Sequence, residues 1–162
     1  MSNSSESFQN SLLPNTLYPT TNNQQPTPLR IFVYGSLKPG EMYYSTYCEG
    51  RVIAYEEAIA LGQLYALPLG YPAMAEGNAP VHGYLFSFDD PAALDALDEL
   101  EDYNPDRLDE QNEYNRMWVE VFTPNMKPLG FAWAYRMAIE QIQSFGGILL
   151  PEGRWTGKEN YF

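Results

Sequence analysis

The chain has 162 residues, enough for one domain with a sizeable core. Its 21 Asp and Glu against nine Lys and Arg give a net charge of −12, which disfavours nucleic acid and anionic membranes as partners, since both are gripped by basic surfaces. The one cysteine, Cys48, excludes an intramolecular disulfide, no apolar run approaches the roughly 18 residues of a spanning helix, and the N-terminus lacks a signal peptide's basic start and apolar run. The expectation is a cytoplasmic protein that handles small molecules, with 13 tyrosines supplying rings that keep a polar tip for a core and a pocket.

Residues 1–28 are rich in Ser, Asn, Gln, Thr and Pro and read as a disordered polar tail, because they bury too little surface to offset their ordering entropy. Leu12, Leu13, Leu17 and Tyr18 are its docking candidates, and Asn3-Ser4-Ser5 matches a glycosylation acceptor that carries little weight without an export signal. The folded part is expected over 29–157, followed by a short tail at 158–162. Leu29 to Tyr34 is apolar apart from Arg30, the pattern of a central strand buried on both faces. Ile59 to Leu67, interrupted by Gly62, reads as a second strand, and Val81 to Phe88 as a third. Residues 38–50 and 68–80 read as loops. A helix is expected from Pro91 to about Glu101, with Asp89 or Asp90 as its cap and Pro91 at its first position. Met117 to Phe122 and Gly130 to Arg136 suggest a hairpin around Thr-Pro-Asn-Met-Lys-Pro, with Phe131, Trp133 and Tyr135 on one face. Short helices fit near 41–48 and 137–145. Five or six strands with few helices predict an α+β fold, a small mixed sheet curled toward a barrel.

The helix singles out one acid. At about 100° per residue, Ala93, Leu94, Leu97 and Leu100 span an arc of roughly 120° that must face the sheet. Asp95, Asp98, Glu99 and Asp102 fall outside this arc and are expected in water. Glu101 falls within it. A carboxylate there loses hydration, which raises its pKa and suits it to carrying a proton near neutrality. The competing reading is a frayed helix end with Glu101 paired to a surface cation.

Tyr34-Gly35-Ser36-Leu37, after the first strand, also has two readings. It is either a tight turn or a loop in which Gly35 lets a ligand approach the backbone and successive N–H groups form an anion-binding concavity.

Taken together, Tyr-Gly-Ser-Leu-Lys-Pro-Gly (34–40) after an N-terminal strand and Leu-Asp-Glu-Leu-Glu-Asp-Tyr (97–103) resemble the gamma-glutamylcyclotransferase-like family. Gly70-Tyr71-Pro72-Ala73, Val81-His82-Gly83-Tyr84-Leu85-Phe86, Tyr114-Asn115-Arg116 and Trp133-Ala134-Tyr135 extend the likeness over residues 29 to 155. The resemblance implies a small mixed α/β barrel with a pocket at the strand-to-loop turn. It implies cyclisation of a γ-glutamyl compound to 5-oxoproline with release of an amine, without metal or organic cofactor. The ligand-binding loop would be Tyr34, Gly35, Ser36 and Leu37, and the catalytic residue Glu101. A tyrosine at the position of Tyr135 gives its hydroxyl to the ligand in some relatives; a core aromatic is the alternative. Several relatives have Gly after the catalytic Glu, where this chain has Asp102, which either perturbs Glu101 or points into water.

Tyr71 and Met74 are candidate pocket walls, with ordinary loop packing preferred. Arg116 suits either clamping a carboxylate or pairing with nearby acids, the second being preferred. A Cys48–His82 dyad would make a cysteine hydrolase, but Glu49 beside Cys48 discourages a thiolate. A catalytically idle ligand-binding or regulatory module on the same scaffold is the other rival. The leaving amine and the oligomeric state are left open by the sequence.

Overall fold

The structure is a computed structural model and describes residues 28–162. Apart from Pro28, the expected polar tail, with its leucines and glycosylation acceptor, lies outside the described residues. The elements are β1 (Leu29–Val33), α1 (Tyr44–Tyr47), β2 (Val52–Ala66), β3 (Pro72–Phe88), α2 (Ala93–Leu100), a 3-10 turn (Asp109–Gln111), β4 (Asn115–Phe122), β5 (Pro128–Arg136), α3 (Ile139–Ser144) and β6 (Ile148–Leu149).

The six strands form one mixed sheet in the order β3-β1-β5-β4-β2-β6, and β2 also pairs with β3. The pairings therefore run in a closed cycle through β1 to β5, with β6 attached to β2 near Tyr65 and Ala66. Only β1 and β5 run parallel, in register at Ile31 and Trp133; the other pairs are antiparallel. The α+β expectation, a mixed sheet curling on itself with few helices, describes this arrangement.

Side chains alternate across a strand, and β1 shows what that does here. Phe32 and Tyr34 join Ala58, Ala60, Leu64, Val81, Leu85, Val121, Ala132 and Ala134 in one buried cluster, to which every strand of the cycle contributes. The many alanines suit a tight interior, where bulkier side chains would overfill the space. Ile31 and Val33 point the other way, into a second cluster with Phe86, Phe88, Leu97, Met137 and Ile142, where α2 and α3 cover the sheet. Burial on both faces is why β1 reads as a nearly unbroken apolar run.

Three expectations need correction. β2 and β3 are longer than expected, and residues 72–80 are strand rather than loop: Ala73, Met74 and Ala75 are all buried. Only a short turn joins the arms, closed by Leu67 N–H to the Tyr71 carbonyl, with Gly70 at φ 99°. The regular helix α2 ends at Leu100, so Glu101 follows its last turn. The helix also starts at Ala93 rather than Pro91, with Ala92 as its N-cap and no side-chain cap bond; Asp90 accepts the Ala92 N–H at 3.0 Å in the turn that leads into it. Asp98 is not out in water; its side chain is only 16% exposed. It lies just beyond the edge of the apolar arc, next to Leu94, so a modest tilt of the helix buries it. In the segment read as a C-terminal tail, the Tyr161 hydroxyl accepts the Thr156 N–H at 3.1 Å and its ring packs on the inner core.

Candidate active site

A cavity of about 140 Å³ opens where β1 and β5 end and β3 and β4 begin. Its lining includes Tyr34, Gly35, Ser36 and Leu37 from the loop after β1, Glu101 from the end of α2, and Tyr135 from the end of β5. Thus the expected loop, the expected acid and Tyr135 meet at one cleft. Tyr43, Tyr71, Glu113 and Tyr114 complete its polar rim.

The position of Glu101 follows from how α2 ends. The Asp102 N–H bonds the Glu99 carbonyl at 3.2 Å and the Tyr103 N–H bonds the Asp98 carbonyl at 2.9 Å, while Asp102 adopts φ 56°. This is a Schellman termination, which needs a left-handed residue directly after the C-cap. Glycine suits that conformation best, and Asp is among the few other residues that adopt it readily. Asp102 is exposed and pairs with Arg107 at 3.1 Å, so it points away from the cleft. Glu101, as C-cap, keeps its N–H on the Leu97 carbonyl at 2.9 Å and turns its side chain into the cleft. Burial, with a smaller push from the Glu113 carboxylate, raises its pKa to about 8.

Glu113 is the acid the sequence reading missed. It accepts a short hydrogen bond from the Tyr71 hydroxyl, and both side chains line the cleft. Its segment runs from the 3-10 turn into β4 with no hydrophobic period to orient it; adjacency to Tyr114-Asn115-Arg116 was the one available signal. The Tyr71 phenol is pushed up by burial and by this acid, so Tyr71 stays a neutral donor. The Tyr114 hydroxyl donates to the Pro72 carbonyl at 2.6 Å and is held well above its ordinary pKa, chiefly by burial.

In the loop, Lys38 N–H closes a turn on the Gly35 carbonyl at 3.0 Å, and Tyr43 N–H bonds the Ser36 carbonyl at 2.8 Å. Among the described residues, no backbone carbonyl accepts the Ser36 or Leu37 N–H groups, so two consecutive donors remain at the cleft. Gly35 is explained by a neighbour: a Cβ there would come within 2.7 Å of Pro72 Cγ, so glycine admits the start of β3. The Tyr34 hydroxyl is committed to the backbone, donating to the Tyr135 carbonyl at 2.7 Å and accepting the Met74 N–H at 3.1 Å. The Tyr135 hydroxyl donates to Asp98 at 2.6 Å, and Asp98 also meets Arg116 at 3.6 Å. Arg116 thus pairs with an acid, lying 4.5 Å from the Trp133 ring centroid and 5.2 Å from that of Tyr103. Met74 is fully buried in the inner core.

Cys48 is wholly buried and its thiol is pushed up to about 12, mainly by that burial. His82 lines a different hollow, with Lys38 and Arg154. Such a thiol is no nucleophile. Among the described residues, no group of His, Cys, Asp and Glu could hold a metal ion, and no helix is long and apolar enough to cross a membrane.

An acid of raised pKa facing a loop with open backbone donors, in a small cleft on a closed mixed sheet, is a candidate small-molecule site. The chain belongs to the gamma-glutamyl cyclotransferase, AIG2-like family, whose model matches residues 31–157. A search among curated proteins finds no match. Among solved structures, an AIG2-like protein from Mus musculus is 19% identical, with 83% of this chain covering 92% of that one at a TM-score of 0.60. The protein ytfP from Escherichia coli is 32% identical, with 78% of this chain covering 96% of it at a TM-score of 0.50. YkqA from Bacillus subtilis is 21% identical at a TM-score of 0.56; 80% of this chain matches, spanning 40% of that longer protein.

Proposed function

We propose that this chain is a cyclotransferase-type enzyme that converts a γ-glutamyl amine or γ-glutamyl amino acid to 5-oxoproline and releases the amine. The observation that carries this reading is the shared cleft of Glu101 and the 34–37 loop, where burial pushes the Glu101 pKa up to about 8.

The substrate brings its own nucleophile. Its α-amine is tethered a few bonds from the γ-carbonyl, and holding the cyclising shape supplies up to about 7–11 kcal/mol of the barrier reduction open to intramolecular reactions. Glu101 enters as carboxylate and takes a proton from the substrate ammonium. Its raised pKa lies in the range where amines release protons, which keeps that transfer close to balanced. The freed amine attacks the γ-carbon and a ring C–N bond forms; the bond to the departing nitrogen breaks as Glu101 returns its proton there, and the second proton shed by the ring nitrogen passes to the released amine, which leaves as an ammonium. No water is consumed and no electrons leave the substrate, so the chemistry calls for no cofactor.

The open amides of Ser36 and Leu37 hold the α-carboxylate or the developing oxyanion. Tyr34 fixes the loop through its two backbone bonds, Gly35 lets the loop close on Pro72, and Tyr135 forms a wall. A reducing cytoplasm suits a chain whose one cysteine is kept as a buried thiol. The test is incubation with a panel of γ-glutamyl compounds and assay for 5-oxoproline. Product from the wild type and none above background from Glu101→Gln is the expected outcome; activity that survives the substitution removes Glu101 from this role.

A further inference from the structure

We propose that a second hollow, between the C-terminal segment and the β2–β3 hairpin, is a binding site for a phosphate-type oxyanion, as free phosphate or a phosphomonoester. It has a volume of about 150 Å³ and is lined by Lys38, Glu57, Ala58, His82, Gly83, Tyr84, Pro124 and Arg154. It shares no lining residue with the cleft of Glu101.

The charge pattern is unexpected for this chain. With nine Lys and Arg and one His against 21 acids, basic groups are scarce, yet two of the former and the one histidine line this hollow. Glu57 is the one acid in the lining. Lys158 adds a further positive charge felt by Lys38.

Specific bonds hold the cations together. Glu41 accepts the Thr156 hydroxyl at 2.8 Å and the Gly157 N–H at 2.9 Å, pinning the C-terminal segment to the loop after β1. Lys38 Nζ donates to the Trp155 carbonyl at 2.5 Å, and the His82 N–H donates to the Gly153 carbonyl at 2.8 Å. Arg154 sits between these anchors. Gly83 contributes only backbone to the lining, because a Cβ there would lie 2.1 Å from the Val33 carbonyl oxygen of the neighbouring strand.

Like charges brought together in a half-buried hollow repel. Burial and then Arg154 lower the His82 pKa, with Glu57 acting in the opposite direction. Burial lowers that of Lys38, Glu41 opposes, and Arg154 and Lys158 add to the lowering. A doubly charged oxyanion would relieve this repulsion. It would accept from the Arg154 fork, from the remaining Lys38 N–H groups and from a protonated His82, three donors on three chain segments. A tetrahedral group suits that convergence.

The test exploits His82 being the one histidine of the chain, so its imidazole NMR signals need no assignment among rivals. The full chain is titrated with inorganic phosphate and separately with methyl phosphate, each against sodium chloride at matched ionic strength. Arg154 and Glu57 are the charges that act on the imidazole; Lys38 and Tyr84 share the hollow with it, Tyr84 from the same strand. The expected result is saturable binding of at least one anion, a rise in the His82 pKa with occupancy, and affinity weakened about tenfold or more by Arg154→Gln. The monoester arm tells which form is taken. Arg154 is exposed, so the variant should fold; His82→Gln, followed by calorimetry, provides a second variant. A His82 shift matched by chloride, or affinity unchanged in both variants, overturns the proposal.

Discussion

The Tyr135 hydroxyl donates to Asp98 at 2.6 Å, joining the end of β5 to the last turn of α2. Asp98 also meets the Arg116 guanidinium, in an ion pair that is long at 3.6 Å. Tyr135→Phe therefore leaves a mostly buried carboxylate short of its best donor. Stability should fall by about 1–2 kcal/mol, read by chemical denaturation. If Tyr135 serves as a wall, turnover should change little; a collapse of kcat at unchanged folding would instead give its hydroxyl a direct part in the reaction.

Glu101 makes stability depend on pH in an unusual direction. Its folded pKa, about 8, lies above the ordinary value of 4.5, so the folded state holds a proton that the unfolded chain has released. The contribution is fully present below about 4.5 and is lost as pH rises through about 8. Wild type should lose on the order of 3–5 kcal/mol across that window from this group. Glu101→Gln should flatten the slope and be the more stable protein at pH about 9. Urea denaturation of both proteins at both ends of the window checks this, independently of any substrate.

Glu113 is the second contributor to that shift. Glu113→Gln should move the titration of Glu101 to lower pH without restoring an ordinary carboxylate value, because burial is the larger cause. The rising limb of the kcat/KM profile reports the move. A limb that stays in place would show that the two carboxyls do not sense each other.

Asp102→Gly sets two small effects against each other. Glycine relieves a left-handed residue, worth roughly 1 kcal/mol, and gives up an exposed pair with Arg107 worth about 0–1 kcal/mol. The melting temperature should hold or rise slightly, and 5-oxoproline formation should be unaffected because Asp102 faces away from the cleft. A large loss of activity would mean that the helix end, and Glu101 with it, had moved.

Gly35→Ala places a methyl group 2.7 Å from Pro72 Cγ. The loop or the start of β3 must shift, at a cost of about 1–3 kcal/mol. The KM should rise more than kcat falls, since the displaced amides belong to binding.

Much of this site is legible in the sequence because local rules agree with the tertiary arrangement. β1 is buried on both sides and reads that way, and the wheel position of Glu101 matches its turn into the cleft even though the regular helix stops one residue earlier. Asp98 was misread because a wheel assigns faces sharply, whereas α2 rolls far enough to shelter its border. The arm at 72–80 was misread because Pro72, Gly77 and Pro80 look like loop punctuation, yet Pro72 and Pro80 are paired in a long hairpin and Gly77 lies in the bulge between them. Glu113 comes from a stretch with no period to read, so only its neighbours in space reveal it.

The cleft is assembled from six separated stretches of chain: 32–37, 43, 71–72, 100–101, 113–114 and 135. Its parts come from far apart in sequence, and the Tyr34–Tyr135 bond joins residues 101 positions apart. Turnover should therefore track cooperative folding as a whole, vanishing together with tertiary structure under denaturant. A fragment that stops before β5 should show no residual catalysis, however much of its hairpin survives.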